Sequence, residues 1–154
     1  MPEAQVPSFK RVVIALSGGT SDAAIVALAS RFARAGTGTA ELIAVHIVEI
    51  DWTLPLDADI AGHSEEAQRV LDMAEEIAED NKVRLTPVLL QARDVGAALV
   101  DEASERGADL LIVGLPYRKR FGGDFAIGRT IPYVLKNAAC AVWVVRESIP
   151  EEMK

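Results

Sequence analysis

Residues 110–130 read LLIVGLPYRKRFGGDFAIGRT. An apolar run with the look of a strand ends in Gly114, a basic glycine-rich loop follows, and Gly128 opens the next helix. This spacing sets two backbone turns where a phosphate can be held between them, because the first N–H groups of a helix lack intrahelical partners and its dipole favours an anion. Arg118, Lys119, Arg120 and Arg129 lie in or beside this loop, and Asp124 is the only acid between Gly114 and Arg146. Such cations repel one another unless water, salt or a bound anion compensates, so the pattern points to anion binding.

Outward from this stretch, strands and helices alternate. Arg11 to Leu16 is a short, β-branched apolar run stopped by Ser17-Gly18-Gly19, and Asp22 to Arg34 carries apolar residues at helical spacing, capped by Thr20, Ser21 or Asp22. Glu41 to Val48 reads as the second strand. His63 to Asn81 follows as a helix with an acidic outer face formed by Glu65, Glu66, Asp72, Glu75, Glu76, Glu79 and Asp80. Between them Glu49 to Gly62, with Pro55 and exposed-looking Trp52 and Leu54, is long enough to cover a site or a partner surface. Val83 to Leu90, Asp94 to Arg106, Asp109 to Val113, Thr130 to Asn137 and Ala141 to Val145 complete the order as strand, helix, strand, helix, strand. Pro132 fits if it falls in the first turn of its helix.

Regular alternation implies right-handed crossovers and a mostly parallel sheet with helices on both faces. Ligands in such sheets bind beyond the carboxyl ends of the strands, where the connection direction reverses. The turns after Leu16 and after Val113 both leave from those ends and are expected to meet over one crevice.

Composition narrows the function. The chain has 154 residues, enough for one compact domain, and its 50% hydrophobic but only 5% aromatic content suits a core of Val, Ile, Leu and Ala. A net charge of -7 opposes nucleic-acid binding or a general anionic-membrane surface, which need positive potential. No run approaches a membrane span, and residues 1–8 lack the basic start and apolar stretch of a signal peptide, so a cytoplasmic protein without membrane insertion is expected. The lone Cys140 agrees with a reducing compartment and reads as a structural thiol. His46, on an apolar strand, reads as a hydrogen-bonded core residue, and no histidine, cysteine or carboxylate spacing suggests a resident metal. Residues 1–9 and 148–154 are expected to be flexible ends around a domain over 10–147.

From Arg11 to Arg146 the chain resembles the universal stress protein family. The resemblance implies a single Rossmann-like α/β domain, a five-stranded parallel sheet in the order 3-2-1-4-5. In many members ATP is held by a glycine, two residues, a glycine, nine residues, then a glycine followed by Ser or Thr. Gly114 resembles the first of these glycines and Gly128 the last, and His46 stands where members often have histidine. Ala141 to Val145 is similar to the closing strand that commonly pairs two subunits, which implies a homodimer. The segment Gly114 to Gly122 further resembles stress-protein domains attached to amino-acid permeases, implying a regulatory module with a transporter as partner.

Four positions depart from that motif. Tyr117 replaces the middle glycine, the glycine interval is one residue longer, Arg129 stands in the Ser/Thr place ahead of Thr130, and Ser17 replaces an aspartate. Tyr117 then either stacks on a base or ribose or fills the pocket. Separately, Ser17-Gly18-Gly19-Thr20-Ser21-Asp22 resembles the loop of the ATP pyrophosphatases, with Ser21 and Asp22 reversed.

The leading expectation is an adenine nucleotide (ATP, ADP or AMP), Mg²⁺ entering only with its phosphates, bound by a regulatory protein with at most slow hydrolysis. Gly114, Gly128, Arg129 and Thr130 would hold phosphates, with charge from Arg118. Ile47 and Val113 would flank the base, and Ser17 with Gly18 would close the ribose side. The alternatives are a nucleotide-free dimeric interaction module and, behind it, a pyrophosphatase-type enzyme.

Overall fold

The computed structural model describes residues 8–35, 40–58, 63–117 and 127–153. Five strands, β1 (Arg11–Leu16), β2 (Glu41–Glu49), β3 (Leu85–Ala92), β4 (Leu110–Leu115) and β5 (Ala141–Arg146), form one parallel sheet in the order β3-β2-β1-β4-β5. Helices α1 (Asp22–Ala35), α2 (His63–Asp80), α3 (Val95–Glu105) and α4 (Thr130–Asn137) connect them in turn. A single 3₁₀ turn, Glu151–Met153, follows β5. The expected fold and strand order are those observed.

Strand periodicity explains the layers. Val12, Ile14, Leu16, Leu42, Ala44, Leu110 and Ile112 point to one face and pack with Ile25, Val26 and Ala29 of α1 and Leu71 and Ala74 of α2. Val13, Ile43, Val45, Ile47, Leu111, Val113 and Leu115 point to the other, against Leu99 and Ala103 of α3 and Ile131 and Val134 of α4. A parallel sheet buried on both faces needs near-continuous apolar strands, and β1, β2 and β4 have them. At its β5 end the first layer is closed by aromatic rings: Trp143 meets Phe32 at 5.0 Å and Phe9 at 5.6 Å, both edge-on. Phe9, placed by sequence in a flexible lead-in, is thus part of the packing.

Element boundaries moved where local hydrogen bonds took over. Lys82 adopts a left-handed φ of 59°, and the Val83 N–H turns back to the Ala78 carbonyl, so that amide closes α2 and β3 starts at Leu85 instead of Val83. Gly114 does not end its strand: β4 continues through it, paired with Val145, to Leu115 opposite Arg146. Asp94 caps α3 by accepting from the Ala97 N–H, and Pro132 sits in the first turn of α4.

The long β2–α2 connection is tied down in its described part. Arg93 donates to the carbonyls of Asp51 (2.7 Å) and Leu54 (2.9 Å), and its guanidinium lies 5.0 Å from the ring of the exposed Trp52. The Asp51 carboxylate accepts from the Thr53 N–H and hydroxyl, which hold its pKa below the usual carboxylate value. Half-buried Cys140 packs on the α3/α4 layer, and burial pushes its thiol pKa up.

Ser30, on the buried face of α1, is fully enclosed and its Oγ has no hydrogen-bond partner. A buried unsatisfied hydroxyl costs stability that a methyl does not. Ser30→Ala is therefore expected to stabilise the fold by about 1 kcal/mol, read as a higher urea midpoint at unchanged m-value; a lower midpoint contradicts the assignment.

Candidate functional site

The β1–α1 turn is organised by a carboxylate. Asp22, the first residue of α1 and only 2% exposed, reaches back over the turn: its Oδ1 accepts from the Ser17 N–H (2.9 Å) and hydroxyl (3.2 Å), and its Oδ2 from the Gly18 N–H (2.7 Å). Ser17 Oγ in turn accepts from the Gly19 N–H at 3.1 Å. Asp22 therefore does not cap its own helix; it fills the amide cradle of the turn, and lies where the α1 dipole favours negative charge. Ser17 and Gly18 present shape and a hydroxyl edge, their amides being already engaged.

Across the sheet, β4 supplies the facing wall. An apolar cavity of about 300 Å³ opens between the ends of β1 and β4 and the start of α4. Its apolar lining includes Leu16, Val95, Leu99, Val113, Leu115 and Ile131, and its rim includes Ser17, Gly114, Gly128, Arg129 and Thr130. This is the point in the strand order where connections reverse, as expected for ligand binding. Of the residues singled out in the sequence, Ser17, Val113, Gly114, Gly128, Arg129 and Thr130 come together here. Gly18 and Ile47 do not line this cavity. They line a neighbouring recess of about 170 Å³ with His46, Glu66 and Val70, sharing only Ser17 with the first. Arg118, with Lys119 and Arg120, lies outside the described residues.

Among the described residues around the cavity, the start of α4 keeps donors open. Gly128 takes a φ of +77° with nothing within 4 Å of where a Cβ would stand, so glycine here serves a left-handed turn into open space. Arg129 is the N-cap residue and makes no side-chain cap bond. Pro132 has no N–H and the Tyr133 N–H bonds the Arg129 carbonyl, which leaves the Thr130 and Ile131 amides at the cavity rim without an intrahelical acceptor. Arg129 itself extends into solvent, its side chain 83% exposed, and meets Glu49 at the end of β2 with Nη2–Oε1 2.8 Å.

Three participants escaped the sequence reading. Glu49 is one, Asp22 in its actual role another. The third is Glu147, immediately after β5, whose Oε1 accepts from the Tyr117 N–H (3.0 Å) and whose Oε2 accepts from the Thr20 hydroxyl (2.9 Å). That carboxylate joins the loop after β4 to the loop after β1. Tyr117 is not among the residues that line the cavity, and its ring lies 5.3 Å from the Arg146 guanidinium. His46 donates from Nδ1 to the Leu16 carbonyl at 2.9 Å, the hydrogen-bonded core role expected of it. Among the described residues no three His, Cys, Asp or Glu side chains gather as a metal site, and no helix is long and apolar enough to cross a membrane.

A 3-2-1-4-5 parallel sheet with a crevice at the β1/β4 switch point defines a Rossmann-like α/β domain. The sequence profile of the universal stress protein family matches residues 8–146, and the chain belongs to that family. No curated protein matches it closely enough to count. Among solved structures it is similar to a universal stress protein from Archaeoglobus fulgidus (TM-score 0.72, 20% identity, 90% of this chain and 99% of that one). It is also similar to a universal stress protein in complex with cAMP (TM-score 0.68, 21% identity, 92% and 100% covered) and to the Archaeoglobus fulgidus protein in complex with dAMP (TM-score 0.69, 19% identity, 88% and 97% covered).

Gly114 has a structural reason of its own. A Cβ there would stand 2.7 Å from Ser21 Oγ and 3.1 Å from Ser21 Cβ, so glycine admits the α1 start against β4. Gly114→Ala is expected to cost about 1–3 kcal/mol through overpacking, most of it recovered in a Ser21→Gly background. Urea unfolding of the two single variants and the double variant decides: strictly additive losses would show that the Ser21 contact is not the cause.

Proposed function

We propose that this chain is a regulatory universal stress protein that binds an adenine nucleotide in the β1/β4 crevice. The observation that carries the reading is the start of α4: Thr130 and Ile131 amides without an acceptor among the described residues, a left-handed Gly128 and a cationic Arg129, all on the rim of an apolar cavity. The cAMP and dAMP held by two structural neighbours support adenine as the base. In this reading one phosphate sits at Gly128, Arg129 and Thr130, with Gly114 beside it, and the base lies on the apolar wall that includes Val113. Ser17, and Gly18 behind it, edge the ribose. Ile47 supports the base from within the α3/α4 layer, since its side chain belongs to that packed layer. Any Mg²⁺ enters with the phosphates.

The reading assigns no catalytic residue; the bound nucleotide biases the loops around the crevice and so the surface offered to a protein partner, such as a transporter, in the cytoplasm. We further infer that β5 pairs two copies. The two sheet edges differ: β3 carries Pro87, which has no N–H to donate, whereas β5 is an apolar AVWVVR run with Val144 exposed.

Titration calorimetry with adenosine, AMP, ADP and ATP, with and without Mg²⁺, tests the site. AMP is expected to bind, and Arg129→Ala to weaken it by about 1.5 kcal/mol, near tenfold, the low end for a charge-assisted bond because Glu49 competes for the guanidinium. No heat with any nucleotide overturns the reading in favour of a nucleotide-free interaction module. For the assembly, sedimentation equilibrium is expected to return a dimer, and Val144→Lys a monomer; a wild-type monomer removes the β5 interface.

A further inference from the structure

A polar cavity lies at the opposite end of the sheet from the β1/β4 crevice. Its volume is about 700 Å³, and it opens where α1 and α2 end and β2 and β3 begin. Three cationic residues from three parts of the chain line it: Arg34 in the last turn of α1, Lys82 in the turn that closes α2, and Arg84 on the lead into β3. Thr86 of β3 adds a hydroxyl-bearing wall. Glu41 is the one acid among the described lining residues, and it is paired with Arg11, Nε–Oε2 3.3 Å.

The three cations have no carboxylate of their own. Among the described residues the ion pairs are Arg11 with Glu41, Arg106 with Glu102 and Arg129 with Glu49, and no hydrogen bond engages the side chain of Arg34, Lys82 or Arg84. In a chain with 23 acidic and 16 basic residues, three unpaired cations on one cavity run against the overall balance. The sequence from Ala35 to Ala40 carries no charge to answer them. The carbonyl ends of α1 and α2 favour nearby cations, which accounts for Arg34 and Lys82 taken singly. It does not account for Arg84, which belongs to neither helix, nor for the residue type at 82. Lys82 takes a left-handed φ of 59°, at a helix-end position that glycine or asparagine fills at less cost. A lysine there accepts backbone strain and brings an ammonium group to the cavity.

We infer that this cavity is a further anion site, for a small molecule with two or more linked phosphate groups. Two guanidinium forks offer paired N–H donors that match phosphate oxygens, and the ammonium adds a point charge. A single phosphate does not compensate three cations, whereas a pyrophosphate or triphosphate chain brings comparable charge. A concave cavity of this volume takes such a chain with room for a group that carries it. The site shares no lining residue with the β1/β4 crevice, so it stands or falls independently of the adenine-nucleotide reading.

Calorimetric titration of the full chain with pyrophosphate, inorganic phosphate, citrate and UDP tests the site. Pyrophosphate is expected to bind at least about tenfold more tightly than phosphate or citrate, the latter carrying its charge on carboxylates. Arg34→Ala and Arg84→Ala are each expected to weaken pyrophosphate about tenfold, and Lys136→Ala, an exposed change on α4, to leave it unchanged. Lys82→Gly separates binding from folding: it is expected to weaken pyrophosphate about fivefold while raising the urea midpoint, because glycine relieves the left-handed position. UDP distinguishes the two sources of a pyrophosphate group. If it binds more tightly than pyrophosphate and is lost in Arg84→Ala, the occupant is an organic diphosphate; if it binds more weakly, the occupant is the free ion, and either supports the site. No pyrophosphate binding, citrate as tight as pyrophosphate, or equal losses in Arg84→Ala and Lys136→Ala overturns the inference. So does a loss confined to Arg129→Ala, which puts the probe in the β1/β4 crevice and leaves the nucleotide reading standing.

Discussion

The crevice depends on a buried carboxylate binding its own backbone. Asp22 closes the turn after β1 with three hydrogen bonds, from two amides and a hydroxyl, and does so from the start of α1, where the helix field favours its charge. Burying an ion is costly unless every lone pair is used, and here the donors are supplied by a turn that would otherwise leave two amides unpaired. The turn and the helix start therefore stabilise each other, and the position of α1 over β4 follows. Ser21, next in the chain, is held against Gly114, and its Oγ is left without a partner.

Much of the fold was legible because parallel strands buried on both faces leave unambiguous apolar runs, separated by helices whose periodicity differs from theirs. The misplaced boundaries share a cause. β3 begins later than its apolar run because Lys82 turns left-handed and spends the Val83 amide on α2, while β4 runs past Gly114 because its pairing with β5 continues there. A particular backbone hydrogen-bond pattern fixed each boundary, the helix-end turn at Lys82 and the cross-strand ladder at Gly114, and composition carries no record of either.

The site was legible to a different depth. Gly128, Arg129 and Thr130, which the structure brings to the cavity rim, could be singled out because the field and open amides of a helix start are local features of sequence. Glu49 lies 80 positions from Arg129, and Glu147 lies 127 from Thr20. Neither separation has a periodic signature, and a carboxylate beside a basic loop looks in sequence like an ordinary solvated charge. Tyr117 shows the same gap: its ring meets the Arg146 guanidinium, 29 positions along the chain, a contact with no signature in the sequence.

The three carboxylates differ in how readily a ligand can replace them, and that ranking gives the site its character. Glu49 holds Arg129 in an exposed pair, a class of interaction worth about 0–1 kcal/mol, so a phosphate with amides to add can take the guanidinium at little cost. Glu147 makes two hydrogen bonds between separate loops and sits at the end of a paired strand, so displacing it loosens the connection between β1 and β4 at their tips. Asp22 is buried, and removing it would strand two backbone amides. The gradient runs from the solvent edge at α4 inward to α1.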